Sequence, residues 1–256
     1  MYPHIKSIKL AALLLSLFLD YLCMLLHALK KHFLMISIGL LVNILIFIFW
    51  WVVTDPGNYI WETVSESNSV LLYSACNKLF LIRYYISVVI INSTLIALYI
   101  FNTNRLLSIG IVLFIIGFYF LTKFLFDPFI GRNYFIIFEN QNVSKMFMLE
   151  PISDAGVTIA PYLVEKLNEQ SSYSREQAAK GLGIIEYTPS INKLNVILTD
   201  TCETTNMRAE CYYSLKKINT PKTKILLENF SHRSVLEMKD TALVERINYL
   251  ERQDIY

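Results

Sequence analysis

The sequence predicts an all-α protein: a four-helix transmembrane bundle followed by a small stack of paired short helices. Three observations carry this. Four apolar runs of about 20 residues, the length that crosses a hydrocarbon layer as a helix, crowd the first half. Charge is partitioned: residues 1–126 hold eight Lys or Arg and four Asp or Glu, whereas residues 127–256 hold fifteen and seventeen. Finally, "REQAAKGLGII" at 175–185 is echoed 33 residues later by "RAECYYSLKKI" at 208–218. A single water-soluble core has no need of such a partition. A lipid-embedded half and a water-facing half require it. The expected division is a four-span domain at 1–126, a juxtamembrane linker at 127–150 and a helical domain at 151–256.

The apolar runs lie at 10–29, 33–53, 79–101 and 106–126. The first has basic residues Lys6 and Lys9 before it, as a signal peptide would. Its apolar stretch is long and no small-x-small cleavage pattern comes after it, so it reads as a retained helix. Residues 30–32 and 102–105 make tight connections. Residues 54–78 form the one substantial loop, opened by the turn signal "DPGN". Trp50, Trp51, Tyr59 and Trp61 suit the headgroup level. Four spans place both chain ends on one side. That side carries Lys6, Lys9, Lys78, Lys123, Arg132 and Lys145, against Lys30, Lys31 and Arg105 opposite, a bias that puts both termini in the cytoplasm.

Polar groups inside the spans are Asp20, Asn43, Arg83, Asn92 and Lys123. They are costly in lipid and so face partners or a path. Arg83 and Lys123, near span ends, can snorkel. An Asp20–Arg83 contact would satisfy both groups.

Asp127-Pro128 is expected to end the fourth span, and "RNYFIIFE" beyond it reads as an interfacial strand or embedded turn. Amphipathic helices are expected at 159–170, 173–187, 189–200, 206–218, 220–230 and 240–251. Arg175 maps onto Arg208, Ala178 onto Cys211, Leu182 onto Leu215 and Ile185 onto Ile218. Neither short helix of a pair can bury its apolar stripe alone, but stacked pairs can. With Arg175, Ala178, Ala179, Leu182, Gly183 and Ile185, then Leu198 and Asp200, residues 151–251 resemble the short HEAT repeats of bacterial lyase-like and scaffold proteins, a class of armadillo-like helical repeats. The second unit keeps Arg208, Leu215 and Ile218 but has Cys211, Tyr212 and Lys216 where the family has small residues. The resemblance implies a HEAT-like α-solenoid that binds a protein partner.

No catalytic motif is found. His4, His27, His32 and His232 make no HxxxH or HExxH pair, and there is no GxSxG, P-loop or dinucleotide fingerprint. Cys23, Cys76, Cys202 and Cys211 match no zinc or redox spacing and read as thiols of a reducing compartment. A formal charge of +2 gives no footprint for nucleic acid. No cofactor or metal is expected. Tyr212 and Tyr213 diverge on a helix, so one of them is expected at a protein interface, rimmed by Arg175, Glu176, Lys216 and Lys217. Abundant Ile, Asn and Lys with only 8 Gly suit an AT-rich bacterial genome and hence a bacterial cytoplasmic membrane. The expected role is a membrane-anchored scaffold or sensor subunit with a cytoplasmic protein partner, contacts to membrane lipid and room for self-association. The rival expectation is a subunit of an oligomeric pore or transport complex, with Asp20, Asn43 or Asn92 lining a cavity.

Overall fold

The computed structural model describes residues 33–59, 66–101, 104–141, 149–170, 173–237 and 240–253. All regular structure among them is helical. Helix α1 covers residues 33–53 and closes on a turn. The Thr54 hydroxyl donates to the Trp50 carbonyl at 2.6 Å, and the Asp55 carboxylate accepts from Gly57 N–H to open the 3-10 turn Pro56–Asn58. Helix α2 (Glu66–Phe101) and helix α3 (Arg105–Glu139) form a long antiparallel hairpin. Asn104 caps α3 by accepting from Leu107 N–H at 3.1 Å. The buried Ser108 hydroxyl donates to the Ala97 carbonyl at 2.7 Å and pins the hairpin at this tip. Helix α1 lies antiparallel to α2, with Phe47 edge-on to Phe80 and Tyr84 and, one turn away, Asn43 bonded to Asn92.

The four-span expectation is corrected. Among the described residues, three helices are long and apolar enough to cross a membrane: Phe33–Asn58, Asn68–Phe101 and Arg105–Glu139. The run at 10–29, with Asp20, lies outside the described residues. The described spans are nearly bare of protein cover. Leu106 and Phe124 are 82% and 80% exposed, and most large apolar side chains between them are open. An apolar surface of this extent suits lipid rather than water.

Helix α3 also departs from expectation. It does not stop at Asp127-Pro128 but runs through Pro128 to Glu139, so residues 127–139 are neither linker nor strand. An interior proline costs a helix about 3 kcal/mol. Burial beyond the proline offsets this: Tyr134, Ile137 and Phe138 are completely buried, each worth about 1.5–3 kcal/mol. Likewise α2 begins at Glu66, inside the expected loop, and buries Leu72, Ala75, Cys76 and Leu79. At about 1.5 Å per residue, α3 is about 52 Å long, some 20 Å more than a hydrocarbon layer of about 30 Å. The surplus is the pedestal of the head.

The head comprises α4 (Glu150–Ala155), α5 (Ala160–Lys166), α6 (Tyr173–Ile184), α7 (Ile191–Thr199), α8 (Thr205–Ile218), α9 (Pro221–Glu237) and α10 (Thr241–Gln253). The last six fall where the amphipathic pattern puts them. Prolines open several of them: Pro151 in α4, Pro161 in α5, Pro189 in the 3-10 turn before α7 and Pro221 in α9. Their missing amide protons cost nothing in a first turn. Thr204 caps α8 through Met207 N–H, Lys216 and Lys217 lie in its last turn, and Asn219 ends it in the left-handed conformation. Helix α8 is the hub, packed against α6, α7, α9 and α10. One continuous apolar core runs from Tyr59, Leu72 and Cys76 through Tyr134 and Phe138 to Ile152, Leu163, Leu182, Leu198 and Ile218.

Candidate functional site

Two constructions stand out: the junction where the hairpin enters the head, and the arginine clamps that join one helical pair to the next.

The junction starts at Arg83. Its guanidinium lies 5.1 Å from the Trp50 ring centroid and 5.1 Å from that of Tyr134. Trp50 Nε1 donates to Ser87 Oγ at 2.8 Å, fixing the ring that Arg83 rests on. Tyr59 meets Tyr134 edge-on and donates its hydroxyl to Asp154 of α4 at 2.7 Å. Burial, reinforced by Tyr134 and Asp154, pushes the Tyr59 phenol up, so it stays a donor. One string of side chains thus runs from the membrane end of α2 to the head. Two further ties flank it. Tyr162 donates to the Pro128 carbonyl at 3.0 Å. Lys166 Nζ reaches Glu139 at 2.6 Å and Glu169 at 2.7 Å. Burial lowers the Lys166 amine, but its bonds to both carboxylates outweigh burial and hold it above its ordinary value. At Gly131, α3 passes so close to the turn Gly156–Thr158 that a Cβ would collide with the Thr158 carbonyl.

The clamps repeat. Arg175 of α6 donates Nε to the Leu167 carbonyl at 3.0 Å and forks onto Glu203 at 2.8 and 2.6 Å. Arg208 of α8 donates Nε to the Leu198 carbonyl at 3.0 Å and Nη1 to Asp240. Each arginine closes the end of the preceding helix and grips an acid ahead of the next unit. Glu203 is held below the usual carboxylate range by Arg175. Helices α6 and α8 cross at Gly183, where a Cβ would fall 2.7 Å from Ser214 Cα, and Ser214 Oγ donates to the Ala179 carbonyl at 2.8 Å.

Most residues expected at an interface or a path are instead engaged within the fold. Arg175 is buried in its clamp rather than on a rim, and Glu176 is half-buried beside it. Tyr212 and Tyr213 do diverge, but α9 and α10 lie in the two directions. Tyr212 packs toward Phe230 and the main core. Tyr213 packs on the small cluster of Ala209, Leu243 and Leu250, with Lys217 over its ring at 5.4 Å. Lys216 is exposed and paired with Glu251 at 2.6 Å. Asn43 and Asn92 bind each other, Asn92 Nδ2 to Asn43 Oδ1 at 2.8 Å. Their amides hold α1 to α2, and Asn92 also donates to the Val88 carbonyl. Lys123 rests over Tyr119 at 5.8 Å. Cys76 and Cys211 are buried and Cys202 is exposed, all as free thiols. Among the described residues, no cluster of three potential metal ligands occurs.

Sequence reasoning missed Tyr134, Asp154, Glu203 and Asp240. A signal existed only for the last two, each ending a loop before an amphipathic helix. The pairing of Tyr59 with Asp154, 95 positions apart, left none.

One buried acid lacks a full set of partners. Glu210 is 4% exposed, and its Oε2 has no hydrogen bond among the described residues. Burial holds its carboxyl above the usual range, opposed by Lys180 and Arg246 and assisted by Glu176. A carboxyl raised by folding contributes fully below the ordinary glutamate value, and that contribution is lost as pH rises through the folded value. Glu210→Gln is therefore expected to stabilise the head at neutral pH, with the gain vanishing below about pH 4. Urea unfolding of the full chain across that range measures it.

Comparison of the chain with family models, characterised proteins and solved structures gives no significant match.

Proposed function

We propose that the chain is a membrane-anchored scaffold or sensor subunit whose helical head recruits a protein partner at the cytoplasmic face. The observation that carries this reading is the unbroken core joining hairpin to head. A head built on helices that continue from lipid is held at a fixed height and angle, which suits a docking platform. The twice-used arginine clamp supports the HEAT-like reading of α6 to α10, because it joins equivalent positions 33 residues apart. HEAT repeats usually bind proteins, an inference from the fold class. The basic residues at the head end, Lys78, Arg83, Lys123 and Arg132 against Arg105 at the described tip, favour the cytoplasmic side.

Exposed side chains on the outer helices offer the contact. Val196 of α7 and Ile225 of α9 are 61% and 59% exposed, and Lys222 donates to Asn192 between these helices at 2.7 Å. Lys216 and Lys217 are exposed at the end of α8. Purification of the intact protein in mild detergent, with mass spectrometry of co-purifying proteins, tests the reading. A stoichiometric partner lost from Val196→Asp or Lys217→Glu supports it. A partner-free oligomer enclosing water would refute it.

A further inference from the structure

Arg83 carries a charge that no carboxylate of the hairpin or the head matches among the described residues. The residue is half-buried, with its guanidinium over two aromatic rings. Guanidinium N–H groups are strong donors in a planar fork. The Tyr134 hydroxyl takes one of them, and among the described residues no carboxylate pairs with the charge. The neighbouring carboxylate, Asp154, is taken by Tyr59. The completely buried Tyr134 hydroxyl is itself shared between Arg83 and Tyr59. A cation held over two rings, with part of its fork and its charge unmatched, is built to meet an anion from outside the described residues.

Depth says which anion. Arg83 lies about 27 Å along α2 from the hairpin tip at Phe101, counting about 1.5 Å per residue, close to one hydrocarbon thickness. Side chains of a helix lean toward its N-terminus, which for α2 is the head end. The guanidinium therefore reaches the level where lipid phosphates lie. Trp50 and Tyr84 at the same level are the amphipathic aromatics of a membrane boundary. Lys123, about 27 Å from Arg105 along α3, is at similar depth but leans back on Tyr119 toward the apolar layer.

We propose that Arg83, fixed between Trp50 and Tyr134, receives the phosphate of an anionic lipid headgroup. The fork donates to two phosphate oxygens, and the rings on its faces exclude water from the pair. The proposal rests on the reading of the hairpin as membrane-spanning and gives that reading a ligand. It also links the lipid to the head, because the Tyr134 that Arg83 touches is part of the head core.

The test is retention of lipid by the intact chain in mild detergent, read by native mass spectrometry with added phosphatidylglycerol, phosphatidylcholine or inorganic phosphate. Wild type is expected to retain phosphatidylglycerol about tenfold better than Arg83→Gln, the loss of one charged hydrogen-bonded contact. Lys123→Gln is expected to bind as wild type does. Arg83→Lys keeps the charge without the fork and should fall several-fold; it stands in if Arg83→Gln does not fold. Equal retention by Arg83→Lys and wild type would overturn the proposal. So would equal losses from Arg83→Gln and Lys123→Gln, which mark a diffuse charge effect. A large gain in retention by Asp20→Asn would give the fork to that carboxylate in the native chain and overturn the lipid as its partner. Inorganic phosphate that competes phosphatidylglycerol away at equal concentration would assign the site to the free ion, with the same consequence. Wild type that floats with liposomes of any composition but shows no headgroup preference removes the site and leaves the membrane reading intact.

Discussion

Gly131→Ala is expected to detach the head from its pedestal. A methyl group at this position would overlap the Thr158 carbonyl oxygen and lie 2.6 Å from the Thr158 carbonyl carbon and 3.2 Å from Ile159 N. These are backbone atoms, so no side-chain rotation relieves the clash. The turn Gly156–Thr158 must move, and α4 and α5 with it. Overpacking of this kind costs about 3 kcal/mol, the upper end of the usual range. The readout is built into the chain. Cys76 is 1% exposed in the core shared by hairpin and head, and Cys211 is completely buried inside the head. With Cys23 and Cys202 replaced by serine, neither remaining thiol should react with maleimide in the parent. In Gly131→Ala, Cys76 should react about a hundredfold faster, as a shift of about 3 kcal/mol implies, while Cys211 stays protected. Reaction of both would mean that the head had unfolded rather than lifted.

Arg175→Ala should be the most damaging change within the head. It removes a fork onto Glu203 and a bond to the Leu167 carbonyl, all in a setting where the arginine side chain is 7% and the glutamate 18% exposed. Breaking a buried pair from one side costs about 3–5 kcal/mol, because the other charge is left without compensation. Arg208→Ala should cost less, since its partner Asp240 is 35% exposed. Arg175→Lys should fall between, as charge without a planar fork cannot hold two oxygens and a carbonyl together. The pH profile separates this clamp from mere packing. Glu203 is held low by Arg175, so its contribution is present above the unfolded glutamate value of about 4.3 and is lost as pH falls through the folded value. Wild type should therefore lose stability in acid more steeply than Arg175→Ala, as measured by thermal unfolding of the intact protein.

Helical periodicity made the head legible. Ala178 and Leu182 of α6, and Cys211 and Leu215 of α8, are each spaced for one face and are completely buried there, and the prolines of the head mark helix starts as their chemistry requires. The equivalence of Arg175 and Arg208 was legible as spacing. That both are buried clamps was not, because ending a loop before a helix does not tell which arginine Glu203 or Asp240 will hold. The tyrosine pair of α8 illustrates the same gap. Spacing showed that Tyr212 and Tyr213 point apart, but not that α9 and α10 occupy both directions. The spans were legible by length and composition, whereas their ends were not. Pro128 is a sound stop signal in isolation, and it is overridden by tertiary burial of Tyr134, Ile137 and Phe138 about two to three turns beyond. The same blindness to distant contacts hid the extension of α2 back to Glu66. Asn43 and Asn92 were legible as costly polar groups in lipid, and their mutual bond leaves them as ties between α1 and α2.

On this reading α3 passes without a break from lipid into a protein core. Nitroxide labels placed singly at Phe124 and Phe135 in liposomes test it directly. Phe124 is 80% exposed on the span and Phe135 is packed against the head. The expected result is strong contact with dissolved oxygen at Phe124, and shielding from both oxygen and a water-soluble relaxant at Phe135. Free access of the water-soluble relaxant to Phe124, or contact of Phe135 with lipid oxygen, would contradict the claim.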